Sequence, residues 1–348
     1  MEYTTEQIMS NLLNNGYHQT KDYKIKYVKA DKSKGFNFGY LLLIPNDLEY
    51  HTMIIEGNNS RYKGTEEYYI SEMLRHGEHP MTEAKAPIMV PLLDAWEEVK
   101  LYDENATREE ELYPQSLSRN TMLIKDPNDP NYRVDLQIFN MFEDAKEIVE
   151  SECNVELDDQ AYLNGYSCSS DLALRLALIH PERVKGMSSG GNNGLRPLPI
   201  EKIGEHEANY PVGIADFEEL FGKKFNEEAY RKIKTFYYRG EDENKKMVYR
   251  TKEDGSSDKY EDQYYNVANN RRLYDKKTGD LFHKILGFKV EEKEENNKQI
   301  YISLGYNTEY KTYPGGHTVS RKVNTAIRDI NNHYRKCVGL EINSDYNK

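Results

Sequence analysis

Cysteine is scarce in this chain. Cys153, Cys168 and Cys337 lie far apart among 348 residues, with no C-x-x-C pair and no zinc-ligand spacing. An odd, sparse set of this kind argues against a disulfide framework. Long apolar runs are missing as well: no stretch approaches the roughly 18 residues that a spanning helix needs, so no membrane span is expected. The start, Met1-Glu-Tyr-Thr-Thr-Glu6, has neither the basic-then-apolar pattern of a signal peptide nor that of a transit peptide. A cytoplasmic protein is the expectation, or a secreted one if a leader has been removed. Basic blocks are absent too. Lys and Arg total 47 against 59 Asp and Glu, giving a net charge of −12 and an isoelectric point near 5.4. Such a chain repels a phosphate backbone, which excludes nucleic acid as the expected partner.

What remains is globular. Apolar residues make up 37% of the chain, and 29 Tyr with 10 Phe supply much of the core material. The mean hydropathy of −0.89 is low, yet not low enough for disorder. The length suits one large α/β domain or two modest ones. No internal repeat and no linker divides it, so a single domain over 1–348 is expected.

The pattern of elements is informative. Residues 3–15 predict a helix capped by Thr4 or Thr5. Tyr23-Lys-Ile-Lys-Tyr-Val-Lys29 alternates apolar and charged residues, and Phe36 to Pro45 is apolar, with Ser33-Lys-Gly35 as the turn of an antiparallel hairpin. Short buried strands follow at 52–57, 86–91, the approach to Gly165, 183–190 and 234–239. Helices are predicted near 65–76, 134–152, 171–180, 260–287 and 320–336. The charged stretch Glu291–Lys298 reads as a solvated loop, as does the acidic Glu109-Glu-Glu111. A last strand ends at His317. Strands alternating with helices predict a parallel sheet covered on both faces, with functional loops at the carboxyl ends of its strands. The Gly-, Pro- and Asn-rich segment 191–232, inserted between two core strands, is expected to form a lid.

One stretch carries a chemical signature. Gly165-Tyr-Ser-Cys-Ser169 stands between an apolar strand and the helix-forming run Asp171-Leu-Ala-Leu-Arg-Leu-Ala-Leu-Ile-His180. Strand, abrupt turn and helix with serine at the apex is a nucleophile elbow, in which small residues two places either side let strand and helix pass closely. Gly165 and Ser169 meet that need, in a relaxed form lacking the second glycine. A serine hydroxyl becomes a useful nucleophile when a histidine takes its proton and a carboxylate orients that histidine. Ser167, the acidic cluster Glu241-Asp242-Glu243 after its strand, and His317 after the last strand stand in the chain order serine, acid, histidine. Any of the three acids can serve. The backbone N–H groups of Asn58 and Cys168 are candidates for an oxyanion hole. Cys168 is weighed as an alternative nucleophile, but its position past the apex should turn its side chain inward. His180 before Pro181 reads as structural, and His76 and His79 lack a third metal ligand, so no metal is expected.

Taken in order, Glu56-Gly-Asn-Asn59, Tyr113-Pro-Gln-Ser-Leu-Ser-Arg119, the elbow, His180-Pro-Glu-Arg-Val184, Gly194-Leu-Arg-Pro-Leu-Pro199, Gly240-Glu-Asp-Glu-Asn244 and Tyr313-Pro-Gly-Gly-His317 span nearly the whole chain. In this order they resemble the α/β-hydrolase superfamily, specifically a bacterial group of esterase- or depolymerase-like serine hydrolases. The resemblance implies the α/β-hydrolase fold and hydrolysis of a carboxylic ester through an acyl-enzyme, without cofactor or metal. It favours Asp242 as the acid, with Glu243 and Glu241 as alternatives, beside Ser167 and His317. The expected partner is a small-molecule ester; homo-oligomer formation stays open. Two other readings stand beside it: an inactive hydrolase-fold binding protein, and a peptidase or acyltransferase on the same scaffold.

Overall fold

Alternating and fully apolar segments assemble a nine-stranded sheet in the computed structural model. It describes residues 3–59, 64–75, 81–94, 112–192, 194, 196–243, 248–251, 257–260, 285–287, 290–306, 308–317 and 319–340. The strands are β1 (Tyr17–Gln19), β2 (Tyr23–Val28), β3 (Tyr40–Pro45), β4 (Ile54–Glu56), β5 (Ile88–Pro91), β6 (Ala161–Tyr166), β7 (Val184–Gly190), β8 (Lys234–Gly240) and β9 (Thr308–Tyr313). They lie in the order β1-β2-β3-β5-β4-β6-β7-β8-β9. β3 runs against both of its neighbours, and every pair from β5 to β9 is parallel. Beyond the extra edge strand β1, this order with its single reversed strand is that of the α/β-hydrolase fold.

Burial explains the sequence of each strand. Every residue of β4 and β6 is buried, because helices cover both faces. The edge strand β9 instead carries exposed Glu309 and Lys311, charges that discourage pairing with another chain. One face is covered by α1 (Thr5–Asn15), α2 (Glu66–Arg75) and α6 (Asn324–Cys337), which share a core with Ile54, Tyr162, Phe236 and Tyr238. The other is covered by α3 (Val134–Cys153) and α4 (Cys168–Ile179), with Tyr301 of α5 (Val290–Ser303) joining that core. Thr4 caps α1 with a full capping box, and Gly16 ends it in the left-handed conformation.

The described residues of the segment 191–232 pack as part of the main body. Leu198, Tyr210, Phe217, Leu220, Phe221 and Tyr230 are buried within the same core as α3 and α4. The Tyr210 hydroxyl donates to the Leu117 carbonyl at 2.6 Å, and Arg119 pairs with Asp216 at 2.5 Å.

Two expectations need correction. Glu291–Lys298 is not a loop but the body of α5. Its buried residues Val290, Lys293, Asn297 and Tyr301 recur at helical spacing, and the intervening glutamates mask that stripe in the sequence. The closing helix expected over 320–336 is interrupted: a four-residue helix, Val319–Lys322, precedes α6, whose cap is Val323. The helix expected near 260–287 and the acidic run Glu109–Glu111 fall mostly or wholly outside the described residues. Among the described residues no helix is long and apolar enough to cross a membrane.

Candidate active site

β6 and α4 meet at Ser167, whose φ of 64° and ψ of −123° are strained for a residue with a side chain. Three features impose that strain. A Cβ on Gly165 would come within 2.3 Å of the Ser169 carbonyl oxygen, so only glycine lets the helix pass the strand so closely. The Ser167 N–H is pinned to the Gly190 carbonyl at 2.8 Å, and the Ser167 carbonyl accepts from the Ser170 hydroxyl at 2.6 Å. Ser169 completes the turn: its N–H donates to Asn59 Oδ1 at 2.8 Å, and its hydroxyl donates to the Tyr166 carbonyl at 3.0 Å. The missing second glycine is thus replaced by a small residue whose hydroxyl ties the elbow together.

Ser167 Oγ lies 2.8 Å from His317 Nε2. On the far side of the ring, His317 Nδ1 lies 3.0 Å from Glu243 Oε1. The histidine is part-exposed and the carboxylate is buried. The structure therefore brings Ser167 and His317 together as the sequence order suggests, but sets Glu243 rather than Asp242 behind the imidazole. The reason is the path of the chain. A Cβ on Gly240 would lie 2.3 Å from the Gly315 carbonyl oxygen, so the acid loop and the histidine loop run back to back. The N–H groups of Glu241 and Asp242 donate to the carbonyls of Tyr313 and Gly315, at 2.8 and 2.9 Å, and continue the β8–β9 pairing past the strand end. That pairing leaves Glu241 exposed and Asp242 half-buried, and delivers the next residue, Glu243, inward. Glutamate's extra methylene then carries its carboxylate to the ring.

The loop after β4 closes the other side of the elbow. A Cβ on Gly57 would sit 2.9 Å from Ser169 Cβ and from Leu172 Cδ2, so this loop lies directly on the start of α4. Asn58 is fully buried, its Nδ2 donating to the Leu93 carbonyl at 3.0 Å. Cys168 opens α4, so its N–H belongs to the first turn, where no earlier carbonyl of the helix can accept it. The positive end of the α4 dipole lies at the same point.

Several residues of the site escape sequence reasoning. Asn59 donates to the Tyr166 carbonyl at 2.9 Å as well as accepting from Ser169; its only trace in the sequence is the Asn pair after a short strand. Gln115 Nε2 lies 3.1 Å from Cys168 Sγ, which gives the Tyr-Pro-Gln segment a place beside the elbow. Tyr166 donates from its hydroxyl to Glu243 Oε1 at 2.7 Å. His180 is held between Asp135 Oδ2 at 2.8 Å and Lys223 Nζ at 3.2 Å, at the far end of α4 from Ser167. Burial pushes the Asp135 carboxyl up, but its bonds to Arg133 and His180 outweigh that and bring it down to about 2. His76 and His79 lie outside the described residues.

Fold and site together define an α/β-hydrolase-fold protein with a serine, a histidine and a glutamate in hydrogen-bonded line at the carboxyl edge of its sheet. No family model matches the chain, and a search among curated proteins finds no relative. Solved structures of similar fold include poly(aspartic acid) hydrolase-1 from Sphingomonas sp. KT-1, at 13% identity and a TM-score of 0.49, covering 90% of this chain and 99% of that one. Another is LpqC, a poly(3-hydroxybutyrate) depolymerase from Bordetella parapertussis, at 13% identity and 0.46, covering 99% and 97%. A third is an S-formylglutathione hydrolase from Agrobacterium tumefaciens, at 11% identity and 0.42, covering 92% and 97%. At such identities the likeness concerns the fold, and any activity must be argued from the site itself.

Proposed function

We propose that this protein is a serine hydrolase that cleaves carboxylic esters through an acyl-enzyme on Ser167. The observation that carries the reading is the line Ser167 Oγ–His317 Nε2–His317 Nδ1–Glu243 Oε1, with spacings of 2.8 and 3.0 Å, built on a serine at strained φ. With Nδ1–H donated to the carboxylate, Nε2 is left as the acceptor that a hydroxyl proton requires. Ser167 attacks the ester carbonyl as His317 takes its proton, and Glu243 stabilises the imidazolium that forms. The N–H groups of Asn58 and Cys168 receive the charge developing on the carbonyl oxygen; a donor so placed is worth about 3 kcal/mol in the transition state. The alcohol leaves with the proton from His317. Water then repeats the sequence on the acyl-serine and regenerates the enzyme. Covalent acyl transfer of this kind draws only on side chains and backbone, so the mechanism uses no metal and no cofactor.

The segment 191–232 is proposed as the inserted region bordering the substrate, since Gly191 abuts His317: a Cβ there would lie 3.1 Å from its Cε1. An intact relay favours an enzyme over an inactive binding protein. The test is turnover of a short p-nitrophenyl ester by the native chain and by Ser167→Ala, with circular dichroism to show that both are folded. Loss of turnover in the variant is expected. Unchanged turnover contradicts the proposal.

A further inference from the structure

Glu243 Oε1 receives two hydrogen bonds. One comes from His317 Nδ1 at 3.0 Å and the other from the phenol of Tyr166 at 2.7 Å. Tyr166 is the residue immediately before Ser167, at the last position of β6. Its ring is buried, stacks on Tyr238 with centroids 5.6 Å apart, and lies 5.1 Å from the His317 ring. Two glycines make room for it. A Cβ on Gly190 would sit 2.8 Å from Tyr166 Cδ2, and one on Gly191 would sit 2.7 Å from its Cζ. The phenol is therefore held by packing, with its hydroxyl directed at the oxygen that orients the histidine.

We propose that Tyr166 is a positioning residue of the relay, whose phenol O–H fixes Glu243 Oε1 against His317 Nδ1. The proposal rests on the Ser167–His317–Glu243 reading and adds to it. The terminal torsion of a glutamate is broad and roughly two-fold, so one bond from the imidazole leaves the carboxylate free to rock. A second donor on the same oxygen removes that freedom. It also withdraws part of the carboxylate's negative charge, and so moderates how strongly the imidazolium is stabilised. Because Tyr166 and Ser167 are adjacent in the chain, one stretch of backbone at the elbow positions both the nucleophile and the group behind its base. A structural tyrosine would need only its ring; this role needs the hydroxyl.

Tyr166→Phe removes the hydroxyl and keeps the ring. A hydrogen bond to a charged group is worth enough that kcat should fall about 10- to 100-fold, with KM little changed. The acid limb of the pH–rate profile should move to higher pH, because the carboxylate regains full charge opposite the imidazolium. In the Glu243→Ala background the same substitution should change kcat by less than about two-fold, since no carboxylate is left to hold. The downfield Nδ1–H proton resonance of His317 should shift between the native chain and Tyr166→Phe, a readout taken on the resting protein. An unchanged kcat with an unmoved acid limb overturns the proposal, and so does an equal loss in both backgrounds. Should Tyr166→Phe not fold, 3-fluorotyrosine at 166 takes its place. The more acidic phenol should move the acid limb to lower pH, and an unmoved limb overturns the proposal. The resonance needs no turnover, so a shifted resonance in a protein whose turnover survives Ser167→Ala separates failure of the functional reading from failure of this one.

Discussion

Two histidines each lie beside a tyrosine of β6, and their surroundings differ completely. Tyr162 and Tyr166 are four residues apart on one strand. Tyr162 shares a 2.8 Å hydrogen bond with Nδ1 of His333, whose ring stacks on Phe236 at 5.6 Å. Tyr166 directs its hydroxyl instead to Glu243, and Glu243 faces Nδ1 of His317. Burial, helped by Lys336 and Lys234, drives His333 down to about 3, so it is neutral packing in the fold. His317 is part-exposed and has a carboxylate behind it and a serine hydroxyl in front. On the proposed reading, what distinguishes a base from a core residue is the anionic partner and access to the serine hydroxyl, not the imidazole itself.

The sharpest way to separate the two is to remove each function in turn. His317→Ala should lower kcat/KM for a p-nitrophenyl ester on the order of 10⁴-fold or more, with a thermal midpoint close to the native one. Next comes the carboxylate. Glu243→Ala should cost on the order of 10²- to 10⁴-fold in kcat, while Asp242→Asn should stay within about three-fold; steady-state kinetics on both variants decides between them. A larger loss at Asp242 would reverse the assignment.

Two glycines, one beside the His317 ring and one beside Cys337, give a smaller contrast. Gly191→Ala forces a Cβ to 3.1 Å from His317 Cε1, at a φ of +62°. Gly186→Ala forces one to 2.4 Å from Cys337 Sγ, next to His333 along the same helix. Each should cost about 1–3 kcal/mol of stability by overpacking, read by urea denaturation, but only Gly191→Ala should also depress kcat.

The last contrast is in pH. His333 is depressed in the fold, so the unfolded chain binds a proton there that the folded chain does not. Stability contributed by the neutral ring is whole above the ordinary histidine value of about 6.5 and falls as pH drops towards about 3. The loss approaches about 1.4 kcal/mol per pH unit within that window. Urea denaturation at pH 7 and pH 5 should show this decline, and His333→Gln should flatten it. Asp135, lowered from the ordinary 3.8 to about 2 in the fold, adds its own loss as pH falls from about 3.8 towards about 2.

How far the sequence reveals this site depends on what fixes each part. The elbow is legible because its constraint is local: Gly165, Ser167 and Ser169 must meet within five residues, and a strand and an apolar helix flank them. His317 is legible by its place between the last strand and the last helix. The acid is not, because the choice among Glu241, Asp242 and Glu243 depends on how far the β8–β9 pairing runs beyond Gly240. That extent is set by Gly315 and Gly316, more than 70 residues away. Asn59 and Tyr166 are hidden for the same reason, since their partners lie on other strands and loops. α5 is hidden differently: its exposed faces are so rich in glutamate that the buried Lys293, Asn297 and Tyr301 stripe reads as a solvated loop.

The central claim, that Ser167 is a nucleophile activated by His317, is tested most directly by a fluorophosphonate probe followed by mass mapping of the labelled peptide. The account predicts one adduct, on Ser167, formed by the native chain and lost in His317→Ala. An unlabelled native protein, or an adduct on Cys168 or any other residue, would contradict it.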